Sequence, residues 1–296
     1  MLMLRLLPVL ALASAAVPAD EVHGPSLPGY ERAFPHATRH YSGYIRTYYP
    51  GRAGVKVYTH YHLALHADPA APVLQWQQGG PGGSSLLGLF TENGPLTLNY
   101  ASWGDCDALE VFDNPHMWQN AAGGVSLLCI EHPAPTGFSY CEPACSHDDD
   151  SQADLHLAIL DEFFGKMYLE LRKNRYVISG ESYAGVLVLT LAERILKRRS
   201  GHGDIAPDSL VAPDSLEGFA LGNDCPGNIV FTCTPYSGGA GTKISLDFLH
   251  GHGMIPDDVK ARVDKNAARD TSRSRPAPRR CRRRRARWRW RIRFGP

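Results

Sequence analysis

The sequence has no uninterrupted apolar run long enough to span a bilayer, which excludes a helical membrane protein. It has no internal repeat, which excludes a solenoid or a propeller. Nothing in it indicates a nucleotide, a flavin or a metal, so the expected cofactor set is empty. Its last stretch, residues 271–296, contains no lysine, no aspartate, no glutamate and no histidine, yet holds 12 of the 31 basic residues. Without that stretch the body has 19 basic residues against 30 acidic ones, a net charge of −11. So acidic a body is a poor surface for nucleic acid.

What remains is ordinary globular material, 43% hydrophobic and 21% charged in 296 residues, enough for one large core or two modest ones. The start reads as a secretory leader: one basic residue, Arg5, the apolar Leu6–Leu12, then small residues through Ala13-Ser14-Ala15. The domain plan is a leader at 1–19, a folded body at 20–270 and an arginine-rich tail at 271–296. Arginine with interleaved tryptophan suits a nucleic-acid or membrane arm. Arginine without lysine is also what GC-rich codons give out of register, and we read the tail that way. Secretion makes Cys106, Cys129, Cys141, Cys145, Cys225 and Cys233 candidates for three disulfides, with Cys281 left over. "CEPACSHDDD" (141–150) mixes cysteines, a histidine and acids. It reads as a disulfide beside a solvated acidic loop in preference to a metal site.

The patterning alternates strands with helices. Residues 41–72 read as an antiparallel meander of short β-prone runs split by glycine and proline. "PVLQWQ" (72–77), "GVSLLCIE" (124–131), "RYVIS" (175–179) and "LEGFALGN" (216–223) read as strands. Residues 151–173 read as one long helix capped by Ser151, with Leu155, Ile159, Phe163, Met167 and Leu171 at helical spacing. Residues 184–199 read as a second helix. This predicts an α/β fold, a mainly parallel sheet covered on both faces.

"SGESYAG" (179–185) joins such a strand to such a helix through a serine. Strand, sharp turn, serine, helix is the nucleophile elbow of α/β-hydrolases. Small residues at Gly180 and Ala184 let strand and helix pack closely around a strained Ser182. A second motif, "LQWQQGGPGGSS" (74–85), puts a glycine run after an earlier strand, where bare backbone N–H groups can face an oxyanion.

Together with "YSGYI", "EHPAPTGFSY", "TENGP", "GFALGN" and "DFLHGHGMIPDDV", these motifs resemble the serine carboxypeptidase family from about Tyr41 to Val263. The resemblance implies an α/β-hydrolase fold and removal of single residues from peptide C-termini by a Ser-Asp-His mechanism. It implies Ser182 as nucleophile and the amides of Gly80 and Tyr183 as oxyanion hole. It implies Gln78, Gly79 and Glu181, supported by Glu92, as the site for the substrate's terminal carboxylate. Gln78 stands where the family has asparagine, and Gly83 where it usually has cysteine, so one family disulfide is expected to be missing. Two clustered carboxyls near a dry pocket imply a preference for acidic pH. The expected partners are peptide or protein C-termini, with no nucleic acid and no membrane after leader cleavage, in a secreted or vacuolar setting.

The resemblance places the catalytic Asp and His beyond Val263, and 271–296 holds neither. His250 and His252 match an upstream helical segment of the family and are not expected to serve as the base. The chain reads as C-terminally truncated. The alternatives are the family's acyltransferase branch and a non-catalytic fragment.

Overall fold

The structure, a computed structural model, describes residues 17–23, 27–29, 38–98, 110–200, 216–225 and 246–271. Most of the expected leader, nearly all of the arginine-rich tail, and Cys106, Cys233 and Cys281 lie outside these residues. The strands are β1 (Arg39–Tyr48), β2 (Lys56–Leu65), β3 (Val73–Gln77), β4 (Leu96–Leu98), β5 (Val111–Asp113), β6 (Ser126–Ile130), β7 (Tyr140–Glu142), β8 (Tyr176–Glu181) and β9 (Leu216–Gly222). The α-helices with bounds among the described residues are α1 (Ser85–Gly88), α2 (Asp149–Glu162), α3 (Ala184–Arg199) and α4 (Asp257–Thr271), and residues 246–251 are helical too.

The main sheet runs β1-β2-β6-β3-β8-β9, with β7 beside β2. β1, β2 and β6 are antiparallel neighbours. β6, β3, β8 and β9 are parallel. β4 and β5 form a separate antiparallel ribbon. The expected α/β architecture is therefore present, with the meander at one side of a parallel half.

β6 shows why the sheet is central. All five of its residues are buried. Leu128 and Ile130 enter a large core shared with α2 and α3, while Leu127 and Cys129 enter a smaller one with Trp76 and Leu89. Alternation into two cores marks a strand covered on both faces, and each such side chain contributes roughly 1.5–3 kcal/mol. The two long helices pack on each other over the large core. The small core is covered by α1 and by the short helical turn Trp118–Gly123, whose Trp118 meets Trp76 edge-on at 5.4 Å.

Three expectations are corrected. The helix expected over 151–173 is regular only to Glu162. A wider turn follows, in which the Tyr168 N–H donates to Phe163 O at 2.8 Å, and then a tighter one over Leu169–Lys173. Gly165 weakens helical continuation there, yet Phe163 and Leu171 stay buried, so the apolar spacing survives the break. The N-cap is Asp148, not Ser151: the Asp148 carboxylate accepts from the Ser151 N–H and the Ser151 hydroxyl answers the Asp148 N–H, a reciprocal capping box. Cys129 makes no disulfide. It is a buried free thiol, and burial with the nearby Glu131 charge pushes its pKa up. Cys141 and Cys145 are bonded to each other, and Cys225 is also disulfide-bonded.

Candidate active site

The parallel strands β3, β6 and β8 all end at the same edge, which is where α/β sheets gather their functional loops. The glycine-rich loop follows β3, Glu131 follows β6, and Ser182 follows β8.

Ser182 has φ +56, a left-handed conformation that side-chain-bearing residues rarely adopt. The turn is held by backbone bonds on both sides. Ser182 N–H donates to Gly222 O at 3.1 Å, and Ser182 O accepts from Gly185 N–H at 3.0 Å and Cys225 N–H at 2.8 Å. Strand and helix meet tightly: a Cβ on Gly180 would lie 2.6 Å from the Ala184 Cβ and 2.5 Å from Gln77 O. The sequence places Gly and Ala at these points because nothing larger fits between them.

The glycine loop is pressed against this elbow. A Cβ on Gly79 would sit 2.7 Å from Ser182 Cβ and from Glu181 O, and 2.8 Å from Tyr183 N. The loop closes by a Gly83 N–H bond to Gly79 O at 2.9 Å, with Gly80 and Gly82 at φ +119 and +92. Among the described residues, neither Gly80 N–H nor Tyr183 N–H has an acceptor. Two unused donors beside an exposed serine turn are what an oxyanion needs. The Tyr183 hydroxyl donates to Asp149 at 2.9 Å and ties the elbow to the start of α2.

The carboxylate cluster lies next to it. The Gln78 side-chain N–H donates to Glu181, and its carbonyl accepts from Trp76 Nε1 at 3.0 Å. The longer glutamine therefore reaches its partner. Glu92 sits in the turn Leu89–Asn93, pinned by Asn114, whose amide donates to the carbonyls of Glu92 at 3.1 Å and Gly94 at 2.8 Å. Burial, and then repulsion from Glu181, raise the Glu92 pKa from its ordinary value.

Sequence reasoning missed the support behind the loop. Glu131 is fully buried, accepts from the Ser84 hydroxyl and from the Phe138 N–H at 2.7 Å, and lies 3.1 Å from His60 Nδ1. Burial opposes its charge, but these partners outweigh burial and hold its pKa below normal. Ser85 donates to Ile130 O at 2.8 Å and accepts from Gln78 N–H at 3.2 Å, so β6 grips both ends of the motif. An acid closing a buried apolar strand is the signal that could have found it.

The structure brings Ser182, Gly79, Gly80, Tyr183, Gln78, Glu181 and Glu92 together as one site. It does not bring His250 or His252 to the serine. His250 Nε2 lies 2.8 Å from Asp257 Oδ1, and His252 Nδ1 donates to Phe248 O at 2.8 Å. Among the described residues no imidazole is hydrogen-bonded to Ser182.

Comparison with known proteins identifies the family. The family model described as serine carboxypeptidase matches residues 28–290. Serine carboxypeptidase 1 of Hordeum vulgare is 32% identical over 250 residues, covering 83% of this chain and 44% of that protein. The lysosomal protective protein of Mus musculus is 32% identical over 225 residues, covering 75% of this chain and 41% of that protein. The chain thus spans less than half the length of these curated relatives. The crystal structure of a prohormone-processing carboxypeptidase from Saccharomyces cerevisiae superposes with a TM-score of 0.63 at 20% identity, over 88% of this chain and 54% of that one. That match shows the α/β-hydrolase fold. Fold, elbow and family model converge, and the chain belongs to the serine carboxypeptidase family.

Proposed function

We propose that this site serves a serine-type carboxypeptidase that removes single residues from peptide C-termini. The observation that carries the reading is the pair of unused N–H groups, at Gly80 and Tyr183, flanking the strained Ser182 turn. Ser182 Oγ attacks the scissile carbonyl, and the developing oxyanion is held by those two amides. The acyl-enzyme forms as the C-terminal residue leaves, and water releases it. The substrate's terminal carboxylate is gripped by Gln78, the Gly79 amide and Glu181, with Glu92 behind. A carboxylate meets a carboxyl group by hydrogen bond only when one of the two holds a proton, and the raised Glu92 pKa supports such a shared proton. The catalytic His and Asp are expected beyond Val263, so turnover is proposed for a chain that carries them. The leader-like start of the sequence and the Cys141–Cys145 disulfide support a secretory route, to the outside or to a vacuolar or lysosomal compartment.

Binding tests the site directly. Fluorescent peptides ending in a free carboxylate are compared with the same peptides ending in a carboxamide, by anisotropy. Hydrogen bonds to a charged group contribute about 1.5–3 kcal/mol, so the free acid should bind about 10-fold tighter or more. The gap should shrink as pH rises from 5 to 8. Equal binding of acid and amide overturns the assignment.

A further inference from the structure

The Cys141–Cys145 bridge sits outside the proposed active site and has an imidazole against it. Cys145 Sγ lies 3.3 Å from His147 Nε2, and the ligand atoms of Cys141, Cys145 and His147 all fall within 4.8 Å of one another. The two cysteine Cα atoms are 5.7 Å apart. Cys141 lies in β7, and Cys145 and His147 lie on the short loop that joins β7 to the Asp148 cap of α2. Both sulfurs are partly buried against the large core, while Glu142, Pro143 and Ala144 between them are exposed. The loop is therefore open to a small reductant and to an ion.

We propose that in its reduced state this loop is a three-ligand site for a thiophilic divalent ion such as Zn²⁺, held by the thiolates of Cys141 and Cys145 and by His147 Nε2. A small dithiol reductant supplies two electrons and two protons to the S–S bond, giving two thiols and leaving as its own disulfide. Zn²⁺ then replaces one proton on each thiol. Two sulfurs, one imidazole and a water in the fourth position make a tetrahedral set of the kind zinc accepts. Disulfide and metal exclude each other, and each fastens β7 to the start of α2.

The imidazole is already prepared for the role. His147 Nδ1 lies 2.8 Å from the Tyr49 hydroxyl, whose own distance to Ser146 O is 3.4 Å. In the disulfide state Nε2–H donates to Ala134 O at 2.5 Å and Nδ1 accepts from Tyr49. In the metal state the proton moves to Nδ1, which donates to Tyr49 Oη while Tyr49 donates to Ser146 O, and the Nε2 lone pair turns to the ion. A hydroxyl that serves either tautomer is the outer partner a ligating histidine needs. The stacked rings of Tyr49 and His147, 5.3 Å apart, hold that orientation.

The test uses the full chain, reduced with dithiothreitol and desalted under nitrogen, then titrated with Co²⁺. The expected result is sulfur-to-cobalt charge-transfer absorption that saturates at a single equivalent, is displaced by Zn²⁺, and is absent from the oxidised chain and from Cys145→Ser. Tyr49→Phe should keep the spectrum and weaken affinity about 10–100-fold. No absorption in the reduced wild type, or the same absorption in Cys145→Ser, overturns the proposal. Alkylation mapping of the reduced wild type needs no variant. Zn²⁺ should slow reaction at Cys141 and Cys145 and leave the other thiols unchanged, and equal rates at Cys141 and Cys145 with and without Zn²⁺ overturn it.

Discussion

Acid should unfold this protein through its buried imidazoles, and His156 shows how. It is fully buried, and its Nε2 lies 3.0 Å from the Gln75 side-chain nitrogen. The Tyr176 hydroxyl donates to Gln75 Oε1, which fixes the amide so that its N–H points at the ring. The ring must therefore accept at Nε2 and carry its proton on Nδ1. A second proton would set N–H against N–H inside the core, and burial holds the His156 pKa down at about 3. His62 is also held at about 3, by burial first and then by the charge of His60, and its Nε2 lies 2.8 Å from His40 Nδ1. In the unfolded chain both titrate near 6.5. The folded values are depressed, so the unfolded state takes up protons first as pH falls. The stability held by the neutral rings is intact above about pH 6.5 and is lost from there down to about 3, at about 1.4 kcal/mol per pH unit for each ring. From pH 7 to pH 5 each imidazole costs about 2 kcal/mol, so these two together cost about 4. That is a large share of the roughly 5–15 kcal/mol that holds a domain together. Urea melts at pH 7, 6 and 5 measure it, read as midpoint at constant slope. His156→Gln keeps an acceptor for Gln75 without titrating, and should flatten the pH dependence by up to about 1.4 kcal/mol per unit. A wild-type midpoint that does not move between pH 7 and 5, or a His156→Gln slope equal to wild type, would refute the reasoning.

Two further perturbations probe the site's frame. Gly79→Ala drives a Cβ to within 2.7–2.8 Å of Glu181 O, Ser182 Cβ and Tyr183 N, which cannot swing aside as a flexible side chain would. It should cost about 1–3 kcal/mol in urea melts and abolish discrimination between peptide acid and amide, and a neutral melt would show that the loop does not press on the elbow. Gln78→Ala leaves the Trp76 Nε1–H without its acceptor and Glu181 without its donor. A loss of about 1–3 kcal/mol of stability is expected, together with weaker binding of peptide acids but unchanged binding of amides. Equal weakening of both would mean that Gln78 serves packing alone.

The architecture was legible because its signals are local. Alternation in β1 and β2, short apolar runs at β3, β6, β8 and β9, and the bounds of α3 follow from periodicity and from the small residues at the elbow. The brief strands β4, β5 and β7 were not read, since three residues carry no period. The break after Glu162 was hidden because Phe163 and Leu171 keep helical spacing through the wider turn. The buried histidines were missed for a different reason. In "YTHYHLAL" the alternation suggests one wet face, but the face that carries His60, His62 and Ala64 is covered, by Phe138 against His60 and by Phe90 and the small core against His62 and Ala64, so His60 and His62 are buried as Tyr61 and Leu63 are. Polar residues inside are stabilised by partners far away in sequence, His40 for His62 and Glu131 beside His60, and no local pattern displays such pairing.

The core and the site respond to protons in opposite directions. Glu92, raised by burial and by Glu181, keeps a proton to higher pH than an ordinary carboxyl, so the proposed grip on a peptide carboxylate is expected to tighten as pH falls. The imidazoles of His62 and His156 respond to the same fall by favouring the unfolded chain. The alkaline limb of any binding profile therefore belongs to the carboxyl pair, and the acid limb to the core. The two have different physical levers. An osmolyte that favours burial moves the acid limb and leaves the alkaline one in place, since only the acid limb reports unfolding. The proposed site is therefore expected to bind best where pH is low enough for Glu92 to keep its proton and high enough for the buried rings to stay neutral.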